Sequence, residues 1–260
     1  MEHHEVALAK FTATVLEEGA LAVILTGSVA RGTERPDSDV DVYLVVDDDT
    51  FADASATDRL SYVVSDDVGY DGGYIDIKLA TLEYLDKAAD AADDPTRASL
   101  LGARVAAATV DGIPSLVERI TTPPEPSWDA KAASFIAQAQ LYGEYFLPHG
   151  ESKGDRFLLA HAATHLALAA ARAIFAHNRM LFRGPKYVSA MLREAPDIPP
   201  GFPEAIDALL EHPGTGTASI VLDKLYRFRA WPLEREKALS RFVEDNELAW
   251  LHRRMPPEYG

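Results

Sequence analysis

The chain has 260 residues, 47% of them hydrophobic, which is enough to bury one large core or two smaller ones. It contains no cysteine, and this excludes disulfides, zinc–thiolate sites and thiol nucleophiles. Acidic residues outnumber basic ones by 41 to 25, for a formal charge of −16. A nucleic-acid partner is therefore not expected, whereas a cationic small molecule would be attracted.

Strand and helix patterns alternate in the N-terminal half. Its opening, MEHHEVALAK, is polar and amphipathic and does not resemble a secretory signal, so we expect a cytoplasmic protein. Gly27–Pro36 is rich in turn residues and includes one short helical piece, SVAR. In chain order, the patterns predict a helix over 5–18, strands over 20–26 and 40–46, an acidic helix start near Asp47, strands over 61–65 and 72–80, a helix over 81–92, a strand over 103–110 and a helix ending near Ile120.

The second half is predicted to be almost entirely helical. The segment TTPPEPSW, 121–128, carries three prolines and is the predicted linker. The apolar segment 157–177 contains His161, His165 and Arg172, so it is expected to be a buried helix and no membrane partner is predicted. Helices are predicted over 129–147, 154–178, 185–194, 202–211 and 217–246.

The predicted fold class is α+β, with two domains. The first, 1–122, has a mixed β-sheet flanked by helices, and the second, 123–260, is an α-helical bundle.

Two aspartates share one face at the start of the predicted strand VDVYLVV, 40–46, which Asp39 directly precedes. Because side chains alternate along a strand, Asp39 and Asp41 face one way while valines fill the core on the other. Charged residues are depleted in strands and costly to bury, so a counter-ion is expected. YIDIK adds Asp76, with Lys78 on the same face of a neighbouring strand. Carboxylate-only ligands suit magnesium, so the three aspartates are predicted to hold one divalent ion, or a pair about 3.5–4 Å apart.

A phosphate-binding turn is predicted just before these aspartates. Gly27 ends a buried strand, lets the backbone turn sharply and lets a phosphate approach closely. Ser28 offers a hydroxyl and a backbone N–H near the start of a short helix, where anions bind well. Arg31 and Ser38 are further candidate donors. Metal beside phosphate is typical of phosphoryl or nucleotidyl transfer.

This combination resembles the signature of the DNA polymerase beta-like nucleotidyltransferase superfamily. Gly27-Ser28, a spacer of nine residues and Ser38-Asp39-Val40-Asp41 match its pattern of G-S, spacer and [ST]-D-x-D, and Asp76 takes the place of its later acidic residue. The resemblance covers residues 20 to 80 in its motifs. The wider layout resembles the small-molecule branch, which includes the aminoglycoside nucleotidyltransferases and pairs the catalytic domain with a C-terminal helical domain.

The resemblance implies transfer of a nucleoside monophosphate, with ATP the expected donor among the nucleoside triphosphates, to a hydroxyl of a small-molecule acceptor. Two Mg²⁺ ions are implied on Asp39, Asp41 and Asp76, and Mn²⁺ is expected to substitute. Lys186, in a segment much like one found in related bacterial proteins, is implied to contact the triphosphate. The general base stays open between Asp76, Glu125 and Glu144.

The motif is also compatible with two other functions: an antitoxin-like nucleotidyltransferase that acts on a protein partner, and a regulator that binds nucleotide without catalysis. The fused helical half argues against the first, and the three intact carboxylates argue against the second. His161 and His165 have the i, i+4 spacing of a metal site, but packing is the favoured interpretation. Arg172 and His177 form an R-x4-H pattern like that of the HEPN ribonucleases, which is short enough to arise by chance. The sequence leaves the acceptor and the oligomeric state open.

Overall fold

The computed structural model describes residues 1–66, 68–124 and 126–257. The chain divides into two compact units, Met1–Pro123 and Pro124–Gly260.

The first unit alternates helices and strands as predicted, with one helix, α5, that was not expected. That helix is capped by Asp93, whose side chain accepts a hydrogen bond from the Thr96 backbone N–H at 2.9 Å. The elements are α1 Glu2–Glu17, β1 Ala22–Leu25, α2 Gly27–Arg31, β2 Val40–Val45, α3 Asp48–Ala56, β3 Ser61–Val64, β4 Ile75–Ala80, α4 Leu82–Ala91, α5 Asp94–Ser99, β5 Arg104–Ala108 and α6 Ile113–Thr121.

The five strands form a mixed sheet in the order β3-β4-β2-β1-β5. Three neighbouring pairs are antiparallel, whereas β2 and β4 run parallel. Because parallel strands begin at the same edge of a sheet, this pair places Asp41 directly opposite Asp76. The predicted mixed sheet is confirmed.

Both faces of the sheet are buried. On one face, Val40 and Val42 pack in a cluster that includes Leu8 of α1. On the other, Tyr43 packs in a cluster that includes Leu85 of α4. The alternation predicted for β2 is therefore confirmed, and Asp41 lies on the Tyr43 face at the end where β2 begins.

The second unit is helical throughout its regular elements, and its core is rich in alanine. Its elements are α7 Pro126–Leu141, a π-helical turn Tyr142–Phe146, α8 Leu147–Lys153, α9 Arg156–His177, a 3₁₀ turn Pro185–Tyr187, α10 Val188–Glu194, α11 Phe202–Glu211, α12 Thr215–Phe228, a 3₁₀ turn Arg235–Lys237, α13 Ala238–Phe242 and a π-helical turn Val243–Glu247.

The single helix predicted over 217–246 is wrong. Helix α12 ends at Phe228, and regular helix resumes only near Arg235. Pro232 lacks a backbone N–H and disfavours helical conformation in the residue before it. The Trp231 indole donates to the Leu225 carbonyl at 2.9 Å, which fixes the chain as it leaves α12.

The predicted linker is shorter than 121–128, since α6 continues to Thr121 and α7 begins at Pro126. Among the described residues, α9 is the helix long and apolar enough to cross a membrane, and 56% of its apolar window is buried inside the protein. That burial is what a core helix requires.

Candidate functional site

Three carboxylates meet where β2 and β4 begin. Asp39 directly precedes β2, Asp41 is its second residue, and Asp76 is opposite Asp41 on β4. One carboxylate oxygen from each lies within 4.8 Å of the others, and all three residues are half-buried. The structure thus brings together the three aspartates that the sequence predicts as a metal site.

The electrostatics of this cluster favour a bound cation. Burial raises the pKa of the Asp41 carboxyl, and the neighbouring charges of Asp39 and Asp76 raise it further, while Lys78 and Arg31 oppose the shift. Within the described residues, no arginine or lysine forms an ion pair with any of the three aspartates. A set of oxygen donors carrying excess negative charge fits a hard divalent ion such as Mg²⁺.

Gly27 makes room for the Asp41 carboxylate. Its φ is +68°, which an L side chain rarely adopts, and a Cβ there would lie 1.8 Å from Asp41 Oδ2. The Thr26 backbone N–H donates to the Asp41 carbonyl at 2.8 Å, so the turn is held against β2. The sequence assigned Gly27 to phosphate approach and missed this contact, because the contact depends on how the turn folds back on the strand.

Ser28 and Arg31 lie on α2, immediately after this turn. Ser28 is half-buried, and its hydroxyl finds no hydrogen-bond partner among the described residues. The Arg31 side chain runs close to Gly102, where a Cβ would lie 2.9 Å from Arg31 Cγ. Its guanidinium is near enough to lower the pKa of Asp41. Both remain predicted phosphate contacts.

Ser38 has a structural task that the sequence did not reveal. Its hydroxyl accepts a hydrogen bond from the Arg35 backbone N–H at 2.9 Å. Its carbonyl accepts from His4 Nε2 at 3.1 Å and from the Tyr70 hydroxyl at 2.9 Å. Its role as a phosphate donor stays a prediction.

Tyr74 is a further residue of the site that sequence reasoning did not assign. A hydrogen bond with the Asp39 carboxylate is the largest cause of the raised pKa of the Tyr74 hydroxyl. Strand alternation places Tyr74 on the same side as Asp76, and that was the available signal.

The remaining candidates lie in the second unit. Lys186 is exposed on the 3₁₀ turn before α10, with its ammonium 4.9 Å from the centre of the Tyr187 ring. Glu144 accepts a hydrogen bond from Arg235 at 2.5 Å and another from the Tyr226 hydroxyl at 3.4 Å. Glu144 is therefore bound within its own unit, and Glu125 lies outside the described residues.

The two histidines of α9 take part in aromatic packing. The His165 ring stacks on Tyr142 at 4.6 Å and lies 4.2 Å from the His161 ring. Burial, and then the neighbouring His161, lower the pKa of His165. These contacts agree with the packing interpretation.

Arg172 lies between two rings, with its guanidinium 4.1 Å from the centre of Phe135 and 4.7 Å from that of Phe182. His177 pairs with Asp197 at 2.8 Å. Arg172 is buried, and its contacts are those of a core residue.

Comparison with known proteins identifies the class of the first unit. Residues 9–91 match the family described as "Nucleotidyltransferase domain", a segment that contains the three aspartates and the Gly27-Ser28 turn. No curated protein matches the chain. Among solved structures, a nucleotidyltransferase-like protein from Exiguobacterium sibiricum 255-15 is 12% identical, with 96% of this chain and 79% of that chain covered and a TM-score of 0.49.

The match is confined to residues 9–91, and over this segment the enzyme class predicted from the motif, a nucleotidyltransferase, is confirmed. The family description specifies neither an acceptor nor a branch of the superfamily.

Proposed function

We propose that the protein is a magnesium-dependent nucleotidyltransferase that moves AMP from ATP to a hydroxyl of a small-molecule acceptor and releases pyrophosphate. The observation that carries this proposal is the convergence of Asp39, Asp41 and Asp76 within 4.8 Å, inside the matched segment and beside the Gly27 turn.

The three aspartates would hold the divalent ions. Their donors are all oxygens, and the raised pKa of Asp41 reflects a concentration of negative charge that a cation would relieve. We propose two Mg²⁺ ions, with Mn²⁺ able to replace them. When bound, these ions would offset the charge of the triphosphate and make the attacking hydroxyl more acidic.

The chain's own residues supply orientation and proton transfer. The acceptor oxygen attacks the α-phosphorus in line, its bond forms as the bond to the bridging oxygen breaks, and pyrophosphate leaves. We assign Asp76 as the acceptor of the hydroxyl proton, since Glu144 already accepts from Arg235 and Tyr226. Tyr74, whose hydroxyl pKa is raised chiefly by the neighbouring Asp39 carboxylate, is assigned to orient that carboxylate.

The triphosphate contacts are assigned by chemistry and placement. Ser28 offers a hydroxyl without a partner among the described residues, and Arg31 contributes positive charge close to the carboxylates. Lys186 is proposed as a further contact on the strength of the sequence resemblance alone.

The acceptor class rests on two features. The formal charge of −16 favours a cationic molecule, as an aminoglycoside-like antibiotic is, and disfavours a polyanion. The second feature is the helical unit Pro124–Gly260, since the resemblance to the small-molecule branch implies a helical domain after the catalytic one.

The direct test is an assay of purified protein with each of the four nucleoside triphosphates and a panel of hydroxylated small molecules that includes aminoglycosides. Mass spectrometry should show an acceptor that has gained one nucleoside monophosphate, with MgCl₂ or MnCl₂ present and not with EDTA. Transfer that persists in EDTA would contradict the metal requirement. A nucleotide attached only to a protein would contradict the small-molecule acceptor.

A further inference from the structure

Two side chains from distant segments hold the backbone immediately before Asp39. His4 on α1 and Tyr70 in the loop between β3 and β4 both donate to the Ser38 carbonyl, at 3.1 and 2.9 Å. Each is more than 30 positions away along the chain, so these bonds fix the approach to β2 from two independent directions. Neither side chain is among the three ligand carboxylates.

Burying His4 is unfavourable, because one of its ring nitrogens has no hydrogen-bond partner among the described residues, and core packing alone does not explain a histidine here. It is fully buried, and its ring meets Tyr70 edge-on at 5.0 Å and 82°. Because a carbonyl only accepts, His4 Nε2 carries the proton, and in the neutral ring, which burial favours by lowering the pKa of His4, Nδ1 is then an acceptor. That Nδ1 is buried with no hydrogen-bond partner among the described residues. An apolar side chain would avoid this penalty, so the bond to Ser38 is the feature that a histidine adds.

Tyr70 also fixes the approach to β4. A Cβ on Gly73 would lie 2.4 Å from the Tyr70 ring, so the ring rests directly on the backbone three residues before Asp76. The Gly73 backbone N–H donates to the Tyr70 carbonyl at 3.1 Å. One tyrosine therefore contacts the backbone that leads into both strands carrying the carboxylates.

Further bonds tie the same two segments together. The Val40 backbone N–H donates to the Tyr74 carbonyl at 3.0 Å, which joins the starts of the two strands. His3 Nε2 donates to the Pro36 carbonyl at 3.1 Å, so the first turn of α1 holds the chain at a second point before Ser38. The segment that carries Asp39 has no regular secondary structure. Hydrogen bonds from the side chains of α1 and of Tyr70 hold its backbone in place.

We propose that His4 and Tyr70 are positioning residues that set the placement of Asp39 relative to Asp41 and Asp76, and thereby the affinity of the site for a divalent ion. This inference rests on the proposed function, since it requires the three carboxylates to bind metal. Outer-shell partners commonly contribute about 10- to 100-fold to metal affinity by orienting the ligands.

The test is a titration of the full chain with Mn²⁺, in the absence of nucleotide. Electron paramagnetic resonance measures the concentration of free Mn²⁺ and so gives the affinity of the site without any turnover. Tyr70→Phe keeps the ring against Gly73 and removes only the donor. We expect roughly 10-fold weaker Mn²⁺ binding with little change in Tm. The matched control is Tyr62→Phe on β3, which removes a half-buried tyrosine hydroxyl that does not contact Ser38 and should leave Mn²⁺ binding unchanged.

His4→Leu provides the second measurement. It removes the donor together with the unpaired Nδ1, so Mn²⁺ binding should weaken while Tm stays level or rises. A purely structural histidine would show lower Tm and unchanged Mn²⁺ binding. If the wild type binds Mn²⁺ and both variants bind it equally well, the positioning role is overturned and the metal site stands. If the wild type binds no Mn²⁺, the metal site and the positioning role are both overturned.

Discussion

The two units differ in how they arrange their charged side chains. In the second, two acidic side chains each form an ion pair with an arginine, Glu144 with Arg235 and Asp245 with Arg241. In the first, three half-buried carboxylates face one another, and no described cation forms an ion pair with them. Repelling carboxylates stay close together only where the surrounding structure holds them in place. Here the register of β2 and β4 holds Asp41 opposite Asp76. Carboxylates without a cationic partner among the described residues, more than carboxylates as such, distinguish the candidate metal site.

The largest expected effect is a loss of nucleotidyl transfer when one of the three clustered carboxylates is neutralised. Asp41→Asn keeps the shape of the side chain and removes a charge from the metal site, so transfer should fall by about 10³-fold or more. Glu144→Gln is the control from the second unit, because its carboxylate is already engaged by Arg235 and Tyr226. We expect its rate to stay within about threefold of wild type. Initial rates of pyrophosphate release measure both, and a folded Asp41→Asn enzyme of normal rate would refute the metal role.

The next effect tests the turn that makes room for Asp41. Gly27→Ala places a methyl group 1.8 Å from Asp41 Oδ2 and forces a residue with φ of +68°. Displacing the carboxylate should slow transfer by about 100-fold, since misplacement of about 1 Å has that effect.

Gly32→Ala is the control for this turn, because Gly32 has φ of +67° and open space around it. It shares the backbone strain of Gly27→Ala without the collision. Both variants should lose about 1 kcal/mol of stability from strain, and only Gly27→Ala should lose most of its activity. Equal losses of activity would mean that the collision with Asp41 does not matter.

The sequence was sufficient to predict the parts of the site that follow from local periodicity. Alternation along β2 and β4 placed Asp41 and Asp76 on one face, and both strands formed where the apolar runs predicted them. The contact between Gly27 and Asp41, and the bonds from His4 and Tyr70 to Ser38, were missed because they join segments far apart in the chain. No local pattern carries such information.

The break after α12 was missed for a different reason. The apolar spacing continues at helical period on either side of Pro232 and favours one helix, but proline lacks the backbone N–H that a helix interior needs. The break follows from local chemistry, in contrast to the long-range contacts of the site.

A third prediction concerns Arg172 in the second unit, whose charged side chain is buried between two aromatic rings. Arg172→Ala removes the guanidinium between Phe135 and Phe182 and its bond to the Pro257 carbonyl, so unfolding should become easier by roughly 2 kcal/mol. Arg227→Ala, whose side chain is 83% exposed, should change stability by less than about 0.5 kcal/mol. Urea denaturation measures both. Unchanged stability in Arg172→Ala would show that this arginine is not a core residue.

The smallest expected effect is on thermal stability, and it comes from the repulsion between the carboxylates of Asp39, Asp41 and Asp76. It is measured in protein from which EDTA has removed any metal. Because the pKa of Asp41 is raised in the folded protein, ionisation of this carboxyl disfavours the fold. The protonated form of Asp41 contributes its full stability at pH values below the ordinary pKa of an aspartate. This contribution is lost as the pH rises through the higher pKa that Asp41 has in the folded protein. At pH 8, Asp41→Asn should therefore melt a few degrees above wild type, the shift that about 1 kcal/mol produces. Added MgCl₂ should raise the Tm of the wild type and leave that of the variant nearly unchanged, because only the wild type keeps the full set of ligands. A variant that melts below wild type in EDTA would show that the three carboxylates do not repel one another enough to destabilise the fold.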